Sequence, residues 1–68
     1  MKLFVWEDVL HDYTSGMMVA LAPDVESARA ALKAKCQYVP ADDLAKEPLV
    51  IEINDKTKAH AFIIWGGG

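Results

Sequence analysis

Two apolar runs in the N-terminal third constrain the fold of this chain more than any other feature. The first, residues 2–7, alternates its side chains so that both faces of a strand would be apolar. The second, residues 17–22, repeats the alternation directly after Gly16 and includes small alanine side chains. The two runs predict antiparallel neighbouring strands, and the alanines favour a helix packed closely against the second strand.

The stretch between these runs, residues 7–16, is acidic and polar. Its composition predicts a connection that leaves the sheet at one end. Such a connection is longer than a minimal hairpin requires, and long surface connections often carry function.

One amphipathic helix is predicted over residues 24–36. Asp24 follows a proline and is a favourable N-cap residue, and apolar positions recur at helical spacing from there. Cys36 completes this apolar stripe, so we expect it to be a buried and unreactive thiol.

The C-terminal half predicts a second hairpin. Pro40 can begin a short helical turn over residues 41–46, and an alternating run at 49–54 is followed by turn residues and a further apolar run at 58–65. The element order is therefore ββαββ, or ββααββ if the short turn counts as a helix. We expect an α+β fold with a four-stranded, mainly antiparallel sheet and one main helix packed on one face.

Length and composition limit the classes of function. The 68 residues suffice for one domain, assigned to residues 1–65, followed by a flexible glycine tail at 66–68. Apolar residues make up 53% of the chain, which is more than one small core can bury and favours self-association as a homodimer. A net charge of −3 argues against direct nucleic-acid binding. A single cysteine and the lack of a long apolar run predict a cytoplasmic protein without a membrane segment.

The residues that could carry catalysis are few. Two histidines and one cysteine are too few for a zinc site, and no cofactor motif is present, so we expect neither metal nor cofactor. His11 with Asp8 or Asp12 could form a base and its orienting carboxylate, with Thr14 or Ser15 as nucleophile. No nucleophile-elbow or oxyanion-hole pattern accompanies these residues, so we interpret them as a solvated loop and expect no enzyme.

Acidic residues form the more informative pattern, because six of the ten lie in two connections, the one between the first two apolar runs and the one after the helix. One interpretation is that connections are simply polar. The other is an acidic surface that binds basic residues of a protein partner, with tyrosine as an aromatic anchor. The candidate partner-binding residues are Glu7, Asp8, Asp12, Tyr13, Asp42, Asp43 and Glu47.

The chain also resembles a known group of proteins. Its first residues, MKLFVWEDVL followed by DYTSG, the alanine-rich helix after Pro23 and the closing IWGGG are similar to short phage and prophage proteins of unknown function. Proteins of this size and origin include the anti-CRISPR proteins, which are compact and often acidic. The resemblance implies a non-enzymatic inhibitor that binds a CRISPR effector subunit of a bacterial host and blocks its access to DNA. It marks no contact residue.

Two hypotheses follow from these observations. The first is the host-directed inhibitor that the resemblance implies, acting through the acidic connections. The second is a structural or accessory phage protein that self-associates through its two-faced apolar strands.

Overall fold

The computed structural model describes residues 1–12 and 14–64, without the side chains of Asp12 and Thr14. Tyr13, Trp65 and the predicted glycine tail at 66–68 lie outside the described residues. In chain order the elements are β1 (Lys2–Asp12), β2 (Thr14–Ala22), α1 (Val25–Lys35), α2 (Ala41–Ala45) and β3 (Leu49–Glu52). The α+β class is therefore confirmed, and the short turn after Pro40 is a second helix.

The three strands form one antiparallel sheet in the order β2-β1-β3. In the register, Phe4 of the central strand lies opposite Ala20 on one side and Val50 on the other. The predicted antiparallel pairing of the first two runs is confirmed, and β1 is the strand that both others share.

The predicted fourth strand is wrong for residues 58–64, which are not part of any strand. The chain does reverse its direction after β3, because the Thr57 N–H donates to the Asn54 carbonyl at 3.2 Å. However, the Thr57 hydroxyl donates to the Glu52 carbonyl at 2.6 Å and accepts the Asn54 N–H at 2.8 Å. A side chain therefore takes the backbone groups with which a hairpin ladder would begin. The four-stranded sheet is replaced by a three-stranded one.

The predicted long connection at residues 7–16 is also wrong, because β1 and β2 extend through most of it. β1 has more residues than β2 in this part of the hairpin. The pairing of β1 with β2 shifts its register at two places along β1, between Glu7 and Val9 and between Val9 and Asp12. Asp8 and Leu10 adopt left-handed backbone conformations, with φ of 56° and 55°. Such bulges bend a strand while its pairing continues on either side.

Gly16 in β2 accommodates this bend. A Cβ atom at this position would lie 3.1 Å from both the Val9 carbonyl oxygen and the Leu10 Cβ, which is tighter than ordinary packing allows. The bulged strand thus approaches its neighbour most closely where the neighbour has no side chain.

The helix prediction is confirmed except at its end. The Asp24 carboxylate accepts the Ser27 N–H at 2.7 Å and caps α1, and Ala28 is fully buried in the core with the alanines of β2. Cys36 is exposed rather than buried. Its N–H still donates to the Leu32 carbonyl, but its own backbone is extended, so the chain leaves the helix before the thiol reaches the apolar stripe.

The two faces of the sheet differ. The helices cover the face that carries Phe4, Trp6, Met18 and Ala20, which belong to one buried cluster. The opposite face, here called the open face, is also aliphatic. It consists of Leu3, Val5, Val19, Leu21, Leu49 and Ile51; of these, Val19, Leu21 and Leu49 remain 43%, 56% and 48% exposed. Neither of the described helices is long and apolar enough to cross a membrane.

Candidate acidic binding surface

The two acidic segments meet because α2 docks on the bulged part of β1. The buried indole of Trp6 donates its Nε1–H to the Lys46 carbonyl at 2.7 Å. Four residues along β1, the Leu10 N–H donates to the Asp43 carboxylate at 3.1 Å. These two bonds hold the segment that follows the long helix against the segment that follows the first apolar run. We call these two segments, which carry Glu7, Asp8, Asp42, Asp43 and Glu47, the acidic end.

Lys46 lies between the two acidic segments and links them. Its ammonium is 3.4 Å from the Asp43 carboxylate and donates to the Asp8 backbone carbonyl at 3.4 Å. It therefore neutralises part of the charge that the five carboxylates bring together. The acidic end carries a smaller net charge than its carboxylates alone would give.

The carboxylates of the acidic end have two different roles. Asp43 has only 13% of its side chain exposed and bonds within the fold, so it is a structural residue. Asp8 is 78% exposed, and Glu7, Asp42 and Glu47 are exposed as well. The four exposed carboxylates are the part of the predicted site that a partner can reach.

The structure does not describe the side chains of the other two predicted contact residues, Asp12 and Tyr13. The backbone of Asp12 pairs with Thr14 where the first hairpin turns, beyond the bulge. Tyr13, the predicted aromatic anchor, lies outside the described residues. The two segments that meet carry the other five predicted residues, and of these Asp8 and Asp43 are linked through Lys46.

Asp8, His11 and Ser15 form a small exposed cluster. The Ser15 hydroxyl donates to the Asp8 carboxylate at 2.7 Å and lies 3.3 Å from His11 Nδ1. His11 Nε2 is 2.9 Å from the Asp8 carbonyl and 3.3 Å from its carboxylate. The Ser15 hydrogen bond lowers the pKa of Asp8 below its usual value, and the charges of His11 and Lys46 add to this effect.

This cluster contains the residue types of a catalytic triad in a different arrangement. A nucleophilic serine gives its proton to histidine, and the carboxylate holds the far side of the ring. Here the serine hydrogen points at the carboxylate itself, the shorter of its two contacts. The carbonyl of Asp8 accepts only, so Nε2 must carry a proton. The cluster therefore fastens the bulge of β1 rather than activating Ser15.

Arg29 of α1 is not among the predicted site residues, but its side chain contacts α2 and the residue after it. Its Nε donates to the Leu44 carbonyl at 2.7 Å, and its Nη2 lies 3.5 Å from the Lys46 carbonyl. It thereby satisfies carbonyls at the C-terminal end of α2. Arg29 and Glu47 also line a shallow depression beside α2. The helical pattern gave no signal for this role, because the contact is with a residue 15 positions away.

No group of three or more potential metal-binding side chains occurs among the residues that the structure describes. Comparison with protein-family models, with curated proteins and with solved structures found no match to this chain. The geometry defines a small α+β domain with an acidic end and an open aliphatic sheet face.

Proposed function

We propose that this protein is a non-enzymatic binding protein that contacts a basic surface of a protein partner through its acidic end. The observation that supports the proposal is the docking of α2 on β1, which joins two acid-rich segments separated by the long helix. Clustered like charges raise the rate of encounter with an oppositely charged surface and select against acidic partners.

The resemblance to small phage proteins suggests the partner. A CRISPR effector must bind nucleic-acid phosphates, and a surface that does so is rich in lysine and arginine. An acidic protein that occupies such a surface competes with DNA. We therefore propose an anti-CRISPR type of inhibitor that acts in the cytoplasm of a bacterial host. The identity of the partner comes from the resemblance, whereas the geometry supplies the chemistry of the contact.

The exposed acids provide a direct test. We expect the triple variant Glu7→Gln, Asp42→Asn and Glu47→Gln to bind a purified host CRISPR effector at least tenfold more weakly than the unaltered protein. A matched control removes three charges elsewhere, by Glu26→Gln, Glu52→Gln and Asp55→Asn. The control shares the change in net charge but leaves the acidic end intact, so its affinity should change less than threefold.

The measurement is titration calorimetry at low and high salt, followed by a competition assay for binding of target DNA. Salt should weaken binding of the unaltered protein and of the control, and weaken binding of the triple variant less. Equal loss of affinity in both triple variants would refute a localised acidic contact. Binding to the effector without any loss of DNA binding would refute inhibition.

The open face of the sheet favours a second candidate function. Three of its aliphatic residues, Val19, Leu21 and Leu49, are about half exposed, although they lie beside the buried Val5 and Ile51. Contiguous apolar surface of this kind commonly marks a protein interface. The second candidate is accordingly an accessory phage protein that self-associates, and a chain that sediments as a monomer at all concentrations would refute it.

A further inference from the structure

The outer edge of β3 has a backbone hydrogen-bonding pattern that can be worked out residue by residue. The Ile53 N–H donates to the Met1 carbonyl at 3.2 Å, so the odd-numbered residues of this segment direct their backbone groups toward β1. The even-numbered residues, Pro48, Val50 and Glu52, therefore direct theirs outward. Among the described residues β1 is the only strand that pairs with β3.

Two of the outward positions are already accounted for. Proline has no N–H to donate, and the Glu52 carbonyl accepts the Thr57 hydroxyl at 2.6 Å. The groups that have no hydrogen-bond partner among residues 1–12 and 14–64 are the N–H and carbonyl of Val50, the N–H of Glu52 and the carbonyl of Pro48. This set contains two donors and two acceptors, and an edge with such a set can be satisfied by another strand.

We propose that β3 pairs antiparallel with β3 of a second copy of this chain, about a two-fold axis at Val50. The inference rests on the second candidate function and gives it a surface. In this register each Val50 donates to and accepts from the Val50 of the other copy. Each Glu52 N–H donates to the Pro48 carbonyl of the other copy. The residue opposite each Glu52 carbonyl would be Pro48 of the other copy, which has no N–H to donate. That carbonyl needs no further donor, because it already accepts the Thr57 hydroxyl.

The side chains support the same register. On the open face, Leu49 would lie opposite Ile51 of the other copy, and on the helix face the two Val50 side chains would meet across the axis. Leu49 and Val50 are 48% and 49% exposed in one chain, and pairing would cover both. The two copies would then share one six-stranded sheet with a continuous open face. No like charges are directly opposite, since Glu52 faces proline.

The space beside β3 is consistent with this arrangement. A groove beside β3 is lined by all four residues of the strand and by Lys58 and His60 of the C-terminal segment. The described part of the C-terminal segment thus lies near β3 without pairing with it as a strand. Within residues 1–12 and 14–64, no strand occupies the outer edge of β3.

The test uses the full chain and charge reversal at the proposed axis. Val50→Lys places two ammonium groups directly opposite each other, and Val50→Glu places two carboxylates. We expect each variant to self-associate at least tenfold more weakly than the unaltered protein in sedimentation equilibrium. An equimolar mixture of the two variants should recover a heterodimer, because the opposed charges then attract.

Ala34→Lys is the control, because Ala34 is an exposed residue of α1 and belongs neither to the β3 edge nor to the open face. It should dimerise as the unaltered protein does. Circular dichroism checks that every variant is folded. A heterodimer that forms only from the lysine and glutamate pair cannot result from misfolding, so this readout stands even if one variant is destabilised.

Two outcomes would overturn the inference at different levels. A dimer that persists unchanged in Val50→Lys would show that self-association uses another surface, and only the edge pairing would fail. A chain that stays monomeric at millimolar concentration would refute the second candidate function as well. Hydrogen exchange gives a third outcome that would overturn the inference. If the Val50 and Glu52 amides are protected in the dilute monomer as strongly as in the dimer, the chain's own segment 58–64 occupies the edge.

Discussion

Replacement of Asp43 tests the contact that joins the two acidic segments. Its carboxylate accepts the Leu10 N–H at 3.1 Å and lies 3.4 Å from the Lys46 ammonium. Asp43→Asn keeps an oxygen that can accept the N–H but removes the charge. Asp43→Ala removes both, and it leaves the amide of a residue with left-handed backbone, φ 55°, without its acceptor.

The two variants should differ in their free energy of unfolding. An ion pair with a half-exposed lysine contributes about 0.2–1 kcal/mol, which is the expected loss for Asp43→Asn. A hydrogen bond to a charged acceptor contributes about 1.5–3 kcal/mol, so Asp43→Ala, which loses the ion pair as well, should lose about 2–4 kcal/mol in total. For a domain of this size the total stability is on the order of 3–5 kcal/mol, so the alanine variant should lose at least about half of it.

Urea denaturation followed by tryptophan fluorescence and circular dichroism measures both values, and hydrogen exchange at the Leu10 amide measures the local effect. The amide should exchange faster in Asp43→Ala and nearly normally in Asp43→Asn. If Asp43→Asn destabilises the protein as much as Asp43→Ala, the contact works through charge and not through the hydrogen bond. Losses below about 0.5 kcal/mol in both variants would mean that α2 is held by other contacts.

Two further predictions concern α1. Hydrogen bonds from the backbone N–H and then from the side chain of Ser27 lower the pKa of Asp24. The stabilising effect of this carboxylate is therefore present above the ordinary pKa of 3.8 and is lost as pH falls through the folded pKa. Asp24→Ala should lower Tm at neutral pH and flatten the dependence of stability on pH in the acid range. Asp24→Asn should flatten this dependence too but keep the cap. An unchanged dependence on pH in Asp24→Ala would contradict the capping role. Ala28→Leu should cost about 1–3 kcal/mol in a urea titration, because Ala28 is fully buried against β2; a neutral result would show that the packing is loose.

The parts of the fold that the sequence predicted are those set by local pattern. The alternation of residues 2–7 and 17–22 was sufficient to pair β1 with β2, and the Asp24 cap was sufficient to place the start of α1.

The errors arise where a side-chain hydrogen bond or a β-bulge overrides the hydrophobic pattern. Residues 58–64 alternate as a strand does, but the Thr57 hydroxyl takes the backbone groups with which the ladder would begin. Residues 7–12 have the composition of a loop, but two bulges keep them within β1. Neither bulges nor hydroxyl caps have a hydrophobic period, so a pattern search does not detect them.

The candidate site was predictable as a set of residues but not as a surface. Charge counting identified the acidic residues in the two segments of the acidic end. Their convergence depends on Trp6 reaching the Lys46 carbonyl, 40 residues away, and no local pattern encodes such a contact. No local pattern indicates either that Asp43, unlike the other acidic residues, is largely buried and bonds within the fold.

The central position of β1 also determines the order in which this protein can assemble. β1 and β2 are adjacent in the chain, so their hairpin closes a short loop and can form early. The other side of β1 has no partner until β3 has been made, and the indole of Trp6 has no acceptor until Lys46 follows. During synthesis an aliphatic strand edge is therefore exposed for the time needed to translate α1 and α2. This interval is when the nascent chain is most prone to pair with the wrong strand.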